Sequence, residues 1–372
     1  MGRMAFTGAR IFDGAEFRDG ALIVEGGRVV GIGRPEGHVV ELGGGVIAPG
    51  FLDLQVNGSG GIAVDEHCDL AKLETVCAVQ ARLGATGCLP TLITDTYDTT
   101  ARVVEAGIAA TKAKVPGFLG LHLEGPHLDR KRKGAHDPAL IRPMEARDLA
   151  MMIEAAAELP ALMVTVAPES VTLDQIAAMA AAGIVVSLGH SDCSAAVATA
   201  AMAAGARCAT HLFNAMSQLG NREPGLVGAV LGSGGFAGLI ADGVHVAPLA
   251  MRVALAAKRE RVFLVSDCMA LAGTTMTEFK LGGRRILRTE GRLTLADGTL
   301  AGADLTLPQA VKVLVEDVGV AAERALAMAS AIPAAVIGRG DIGHLRAGAK
   351  ADMVHLSPEW ALQAVWRGGI AV

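Results

Sequence analysis

No apolar run in the 372-residue sequence reaches the roughly 18 residues that a membrane-spanning helix requires; stretches such as residues 195–206 are cut short by glycine and charge. A membrane span is therefore not expected. Basic runs are equally short. Lys131-Arg132-Lys133 cannot line a polyanion groove, and the formal net charge of -5 is spread along the chain, so nucleic acid is not an expected partner. The six cysteines, at 68, 77, 88, 193, 208 and 268, lack C-x-x-C spacing and sit mostly in apolar segments, as core residues in a reducing cytoplasm would. An apolar leader with a small-residue cleavage site is missing from the start, which again points to the cytoplasm.

What the sequence does have is material for a large core, with 51% hydrophobic and 19% charged residues. The first fifty residues alternate short β-type runs with glycine turns, at 21–25, 28–32, 39–42 and 46–48. Strand-like runs return at 351–356 and 362–366, so residues 1–49 and 345–372 are expected to join in one small β-sandwich domain.

Between these ends, apolar strand-like runs alternate with Ala-rich helical ones, the signature of parallel β/α units. Eight strand candidates appear, at 51–56, 87–93, 118–123, 162–166, 184–188, 208–212, 236–241 and 262–266. Helical candidates at 70–83, 99–114, 145–159, 173–182 and 195–205 follow the first five. Residues 50–344 are thus predicted to form a (β/α)8 barrel of the α/β class. Residues 126–143, 214–228 and 281–303 break the rhythm, the last as a Gly-turned β-insertion.

A barrel enzyme carries its reactive side chains at the C-terminal ends of its strands. Here those ends are polar: Gln55 and Asn57 after the first strand, Glu124 after the third, His190 after the fifth, His211 after the sixth, Asp242 and His245 after the seventh, and Asp267 after the eighth. One carboxylate and two imidazoles suit Zn2+ or a similar divalent ion with a position left for water, so Glu124, His190 and His211 are the expected ligands. Such an ion lowers the pKa of bound water to about 7, and Asp267 is placed to move the proton onward. His122 is read as a support on the strand of Glu124, and His127, in the loop after Gly125-Pro126, is not read as a ligand.

Seven motifs in order, APGFLDLQVNG at 48–58, HLEGP at 122–126, GAHDP at 134–138, GHS at 189–191, THLFNAM at 210–216, DGVHV at 242–246 and VSD at 265–267, resemble the N-acetylglucosamine-6-phosphate deacetylase family of the amidohydrolase superfamily. The similarity covers essentially the whole chain. It implies hydrolysis of the acetamide of N-acetyl-D-glucosamine 6-phosphate by one divalent ion per subunit, zinc or else Fe2+, Co2+ or Mn2+. It implies the same three ligands, Asp267 as proton shuttle and His136 against the acetyl carbonyl. It further implies a sugar-phosphate pocket with His245, Asn214, Ala215 and Arg222 on the phosphate, and a homodimer in which Arg222 reaches the neighbouring site.

Many amidohydrolases carry His-x-His at the end of the first strand and bind two metals. This chain has Gln55-x-Asn57, poor ligands for zinc, so a single ion is expected, with these amides facing the substrate. Two other readings stand beside this one: the same reaction on N-acetylgalactosamine 6-phosphate, and a catalytically inactive barrel serving as a binding scaffold.

Overall fold

A computed structural model describes residues 2–372. Eight parallel strands lie side by side in chain order: β1 (Phe51–Val56), β2 (Ala85–Ile93), β3 (Leu121–Glu124), β4 (Leu162–Val166), β5 (Val185–Leu188), β6 (Cys208–Ala209), β7 (Phe236–Leu239) and β8 (Val262–Leu264). The ring closes between its two ends. Asn57 N donates to the Cys268 carbonyl at 2.9 Å and Asp267 N to the Gln55 carbonyl at 3.1 Å. Helices α1 (Leu70–Arg82), α2 (Tyr97–Lys112), α3 (Ala146–Glu158), α4 (Leu173–Ala181), α5 (Ala195–Ala203), α6 (Gly225–Gly232) and α7 (Pro248–Ala257) follow the first seven strands in turn, and the helix of the eighth unit comes after an insertion, giving a (β/α)8 barrel.

Local chemistry starts these helices where they are needed. The side chains of Asp69, Thr96 and Ser194 accept from the backbone N–H groups of Lys72, Thr99 and Val197, and Thr172 and Gln175 form a reciprocal capping box. Along the strands the side chains alternate with period two. Leu121, Leu123, Leu162, Val164, Val186 and Leu188 face outward into the core shared with the helices, each such burial contributing about 1.5–3 kcal/mol. The residues between them point into the barrel, where His122 Nε2 meets Thr165 Oγ1 at 2.7 Å and Thr210 Oγ1 lies 2.6 Å from both Thr165 Oγ1 and Ser187 Oγ. A satisfied polar layer thus lies beneath the strand ends.

Several strands are shorter than the apolar runs predict. β3 begins only at Leu121 because Gly117 and Gly120, at φ 85° and 129°, interrupt the extended chain. β6 and β8 end early because His211 and Asp267 adopt φ 30° and 50°. Helix α6 starts within the stretch read as an interruption at 214–228.

After β8, strands Glu278–Leu281, Arg284–Thr289, Arg292–Thr294 and Leu300–Ala303 form a separate antiparallel sheet, followed by α8 (Leu307–Val313). The chain ends build a β-sandwich. One sheet pairs Met4–Thr7, Ala21–Glu25, Arg28–Gly33 and His38–Glu41; the other places Val46–Pro49 between Arg10–Phe12 and the C-terminal strand Met353–Leu356. Phe6 and Leu22 from one sheet and Ile47, Met353 and Trp366 from the other share a core. Among the described residues, no helix is long and apolar enough to cross a membrane. The six cysteines are buried and unpaired.

Candidate metal centre and substrate cavity

At the C-terminal mouth of the barrel, three side chains from β3 and the turns after β5 and β6 converge. His190 Nε2 and His211 Nε2 lie 3.2 and 3.0 Å from Glu124 Oε1 and 3.1 Å from each other. Atoms bound at 2.0–2.2 Å to one tetrahedral ion stand roughly 3.3 Å apart, so the triangle has the dimensions of one face of such a shell. Two of the three residues of the triangle sit on strained turns: His190 and His211 adopt φ 48° and 30°, a conformation costly for a residue with a Cβ and concentrated at functional sites.

The protonation pattern fits a cation. His190 Nδ1 lies 2.8 Å from the Arg132 carbonyl, which can only accept, so that nitrogen carries a hydrogen and Nε2 is the atom turned to the triangle. Burial opposes the charge on Glu124, yet the two imidazoles hold its carboxyl well below the usual range. Burial likewise opposes charge on His211, but the Glu124 carboxylate raises its pKa. The triangle draws positive charge, and among the described residues it is the one cluster of three acidic, His or Cys side chains placed to hold a metal.

Asp267 faces the triangle across Gln55. The Gln55 amide nitrogen is 3.2 Å from both oxygens of Glu124 and 3.1 Å from Asp267 Oδ1, which also accepts from Asn57 Nδ2 at 2.7 Å. Burial, with the charge of Glu124 adding to it, pushes Asp267 up to about 6. Asn57 borders the cavity with its Oδ1 buried and unpartnered, whereas Gln55, expected against the substrate, lies behind the wall with its N–H groups committed to the two carboxylates.

His136 comes from the loop after β3. The Thr94 N–H donates to its Nδ1 at 3.3 Å, with Thr94 Oγ1 on the same nitrogen at 2.7 Å. A backbone N–H can only donate, so Nδ1 is the lone-pair side and Nε2 carries the hydrogen, 4.0 Å from Glu124 Oε2. Burial, reinforced by His190, holds His136 well below its ordinary pKa, so it stays neutral.

These groups open on one cavity of about 230 Å3, walled also by Asn214, Ala215, His245 and residues 299–302 of the β-insertion. Asp242 accepts from the backbone of Val244 and His245 at 2.8 Å and from His245 Nδ1 at 2.6 Å, which fixes that ring. Arg222 lies on an exposed loop and does not border the cavity of its own chain. His122 sits in the polar layer below. His127 is turned away toward the Arg142 carbonyl and Asp148. A larger cleft, about 860 Å3, opens at the opposite end of the barrel by the strand N-termini, away from this chemistry.

Sequence reasoning missed Thr94 and Asp53. Thr94 directly follows β2, so asking what that strand ends in would have exposed it. Asp53 shares the inward face of β1 with Gln55 but lies within an apolar run, and only the closed barrel shows it accepting from Ser266 N at 3.2 and 3.3 Å.

Comparison with known proteins places these features in context. The profile of the Amidohydrolase family matches residues 46–370. The chain is similar to an N-acetylgalactosamine-6-phosphate deacetylase of Shewanella sp. (strain ANA-3), 37% identical over 332 residues that cover 88% of this chain and 83% of the relative. It is also similar to the N-acetylglucosamine-6-phosphate deacetylase of Haemophilus influenzae, 34% identical over 325 residues, 86% of this chain and 85% of that one. Among solved structures, a mutant N-acetyl-D-glucosamine-6-phosphate deacetylase from Mycobacterium smegmatis in complex with N-acetyl-D-glucosamine 6-phosphate superposes with a TM-score of 0.90 at 31% identity, covering 100% of this chain and 98% of the other.

Proposed function

The chain belongs to the amidohydrolase family, and from that premise we propose that it hydrolyses the acetamide of N-acetyl-D-glucosamine 6-phosphate to D-glucosamine 6-phosphate and acetate. The observation that carries this reading is the convergence of the Glu124–His190–His211 triangle, Asp267 and His136 on one cavity, in a chain similar over most of its length to deacetylases of N-acetylhexosamine 6-phosphates.

Glu124, His190 and His211 would hold one divalent ion, with zinc suited to these donors, and when bound it would supply Lewis acidity and a water acidic enough to attack at neutral pH. Asp267 takes the proton of the attacking water and returns it to the departing amine, a task suited to a carboxyl pushed up to about 6. His136 donates its Nε2 hydrogen to the acetyl oxygen as negative charge develops there. Gln55 and Asn57 hold the two carboxylates apart by giving each a hydrogen to bind, and amide N–H groups offer no lone pair to a second ion. His245 and the Asn214–Ala215 turn receive the phosphate, and Arg222 of a neighbouring copy in a homodimer completes that end. Buried, unpaired cysteines support a cytoplasmic location.

The 37% identity to an N-acetylgalactosamine-6-phosphate deacetylase favours a second substrate reading, the epimer. The test is acetate release from both N-acetylhexosamine 6-phosphates by enzyme of known metal content. The gluco epimer is expected to give the higher kcat/KM with one ion per chain, and chelation is expected to abolish release. A higher value for the galacto epimer would reverse the substrate assignment; two tightly held ions would refute the single-ion centre. No release from either sugar with any divalent ion would leave a binding scaffold.

A further inference from the structure

The β-insertion between Glu278 and Ala303 does more than wall the cavity with Leu281 and residues 299–302. It grips the barrel in two ways. Phe279, Ile286, Leu293 and Ala301 bury together with Met269 and Leu271 of the segment after β8, and Ala135 packs against the edge of that cluster. The second grip is polar: the Arg284 guanidinium donates to the Ala135 carbonyl. Ala135 immediately precedes His136, so this hydrogen bond falls one peptide from the ring that presents its Nε2 hydrogen to the cavity.

The same short stretch is held from its other side. The Arg132 carbonyl accepts from His190 Nδ1 at 2.8 Å. Gly134 lies against the His190 ring so closely that a Cβ there would stand 3.2 Å from Cε1. His136 N closes the turn onto the Lys133 carbonyl at 2.9 Å. Thr94 sets which way the His136 ring is turned, but the height of its backbone depends on what holds the 133–136 turn. Arg284 supplies that hold from the β-insertion.

We propose that Arg284 is a positioning residue for the reaction: through the Ala135 carbonyl it fixes the 133–136 turn against His190 and so places His136 at the acetyl group. The chemical part rests on the deacetylase reading; the hold on the turn does not. Misplacement of a reacting group by about 1 Å can cost on the order of a hundredfold in rate, so a modest loosening of this turn is enough to be measured.

The experiment compares the metal-loaded 372-residue protein with its Arg284→Ala and Arg284→Lys variants, reading kcat and KM by acetate release, metal content, Tm, and amide hydrogen exchange in the peptide spanning 130–138. Arg284→Ala is expected to lower kcat roughly tenfold to a hundredfold. KM should change little, exchange across the 133–136 turn should quicken, and metal content and Tm should be retained; Arg284→Lys, which keeps a donor for the carbonyl, should recover much of kcat. A raised KM at unchanged kcat would overturn the proposal by making Arg284 a substrate contact. So would a lowered Tm with exchange at the turn and kcat per folded chain unaltered, since the hydrogen bond would then be only a staple for the insertion. If the parent protein releases acetate from neither sugar, the deacetylase reading fails by that result alone, and exchange at 133–136 still decides whether Arg284 holds the turn.

Discussion

Glu124 and Asp267 are two buried carboxylates joined through one amide, and their surroundings drive them apart. Both imidazoles keep Glu124 ionised, while burial and the Glu124 charge lift Asp267 to about 6. The roles proposed for them, metal ligand and proton carrier, need that division of labour. Asp267→Asn preserves the shape and a partner for Asn57 but removes the basic oxygen. The expected outcome is metal content equal to the parent with kcat lowered about a hundredfold or more, the ordinary worth of a positioned acid–base group; turnover near the parental rate would remove Asp267 from the mechanism. Glu124, His190, His211 and Asp267 could be singled out in the sequence because a barrel puts reactive groups at strand ends, so position in the chain translates into position in space. The tautomer of His136 could not, because it is set by Thr94, forty-two residues away. Gln55 illustrates the same boundary: its place in the chain was visible, but its bonding to two carboxylates from other strands depends on closure.

At the scale of elements, the seam between β1 and β8 is the thinnest part of the barrel. The regular ladder there gives way to an isolated bridge between Val56 and Cys268 and two backbone hydrogen bonds. Asp53 reinforces it, accepting from the backbone N–H groups of Ser266 and Gln55. Burial pushes its carboxyl up to about 7, the hydrogen bonds from Ser266 and Gln55 restrain the rise, and the charge of Asp267 adds to it. An unfolded aspartate titrates near pH 3.9, well below the folded value, so the stability Asp53 contributes is intact below about pH 4 and lost as pH rises through 7. Asn at this position carries no charge in either state. The urea midpoint of Asp53→Asn relative to the parent is therefore expected to improve between pH 5 and pH 8, titrations common to both proteins cancelling in the comparison. An offset independent of pH would show that Asp53 ionises freely in the folded barrel. The apolar runs located all eight barrel strands, since strands buried on both faces read as continuous hydrophobic segments. They overran the ends of β6 and β8, because apolar content does not report the left-handed turns at His211 and Asp267 that lift those side chains into the mouth.

At the scale of the whole molecule, the loop bearing Arg222 is shaped from within while its cation is turned outward. Glu223 Oε1 accepts from Ala195 N at 2.7 Å and Gly225 N at 3.0 Å, anchoring the loop to the starts of α5 and α6. Arg222 itself is exposed, and Leu219 beside it leaves 54% of its surface open, an apolar group facing outward. A cation that its own cavity does not use can still serve the phosphate end of a neighbour's, where a guanidinium matches phosphate by charge and geometry. Arg222→Ala is accordingly expected to raise KM for the sugar phosphate roughly tenfold, the worth of one charge-assisted hydrogen bond, with kcat less affected. Mixing tells whether the residue acts across the proposed dimer. Chains carrying Arg222→Ala keep Asp267, and chains carrying Asp267→Asn keep Arg222, so a hybrid of the two assembles one complete site from parts that neither homodimer combines. After subunit exchange of an equal mixture, half the dimers are hybrids with one working site each, and low-substrate activity should climb to about a quarter of the parental value per chain. Activity fixed at the mean of the two separate variants would place Arg222 on its own chain's cavity, or outside the reaction altogether.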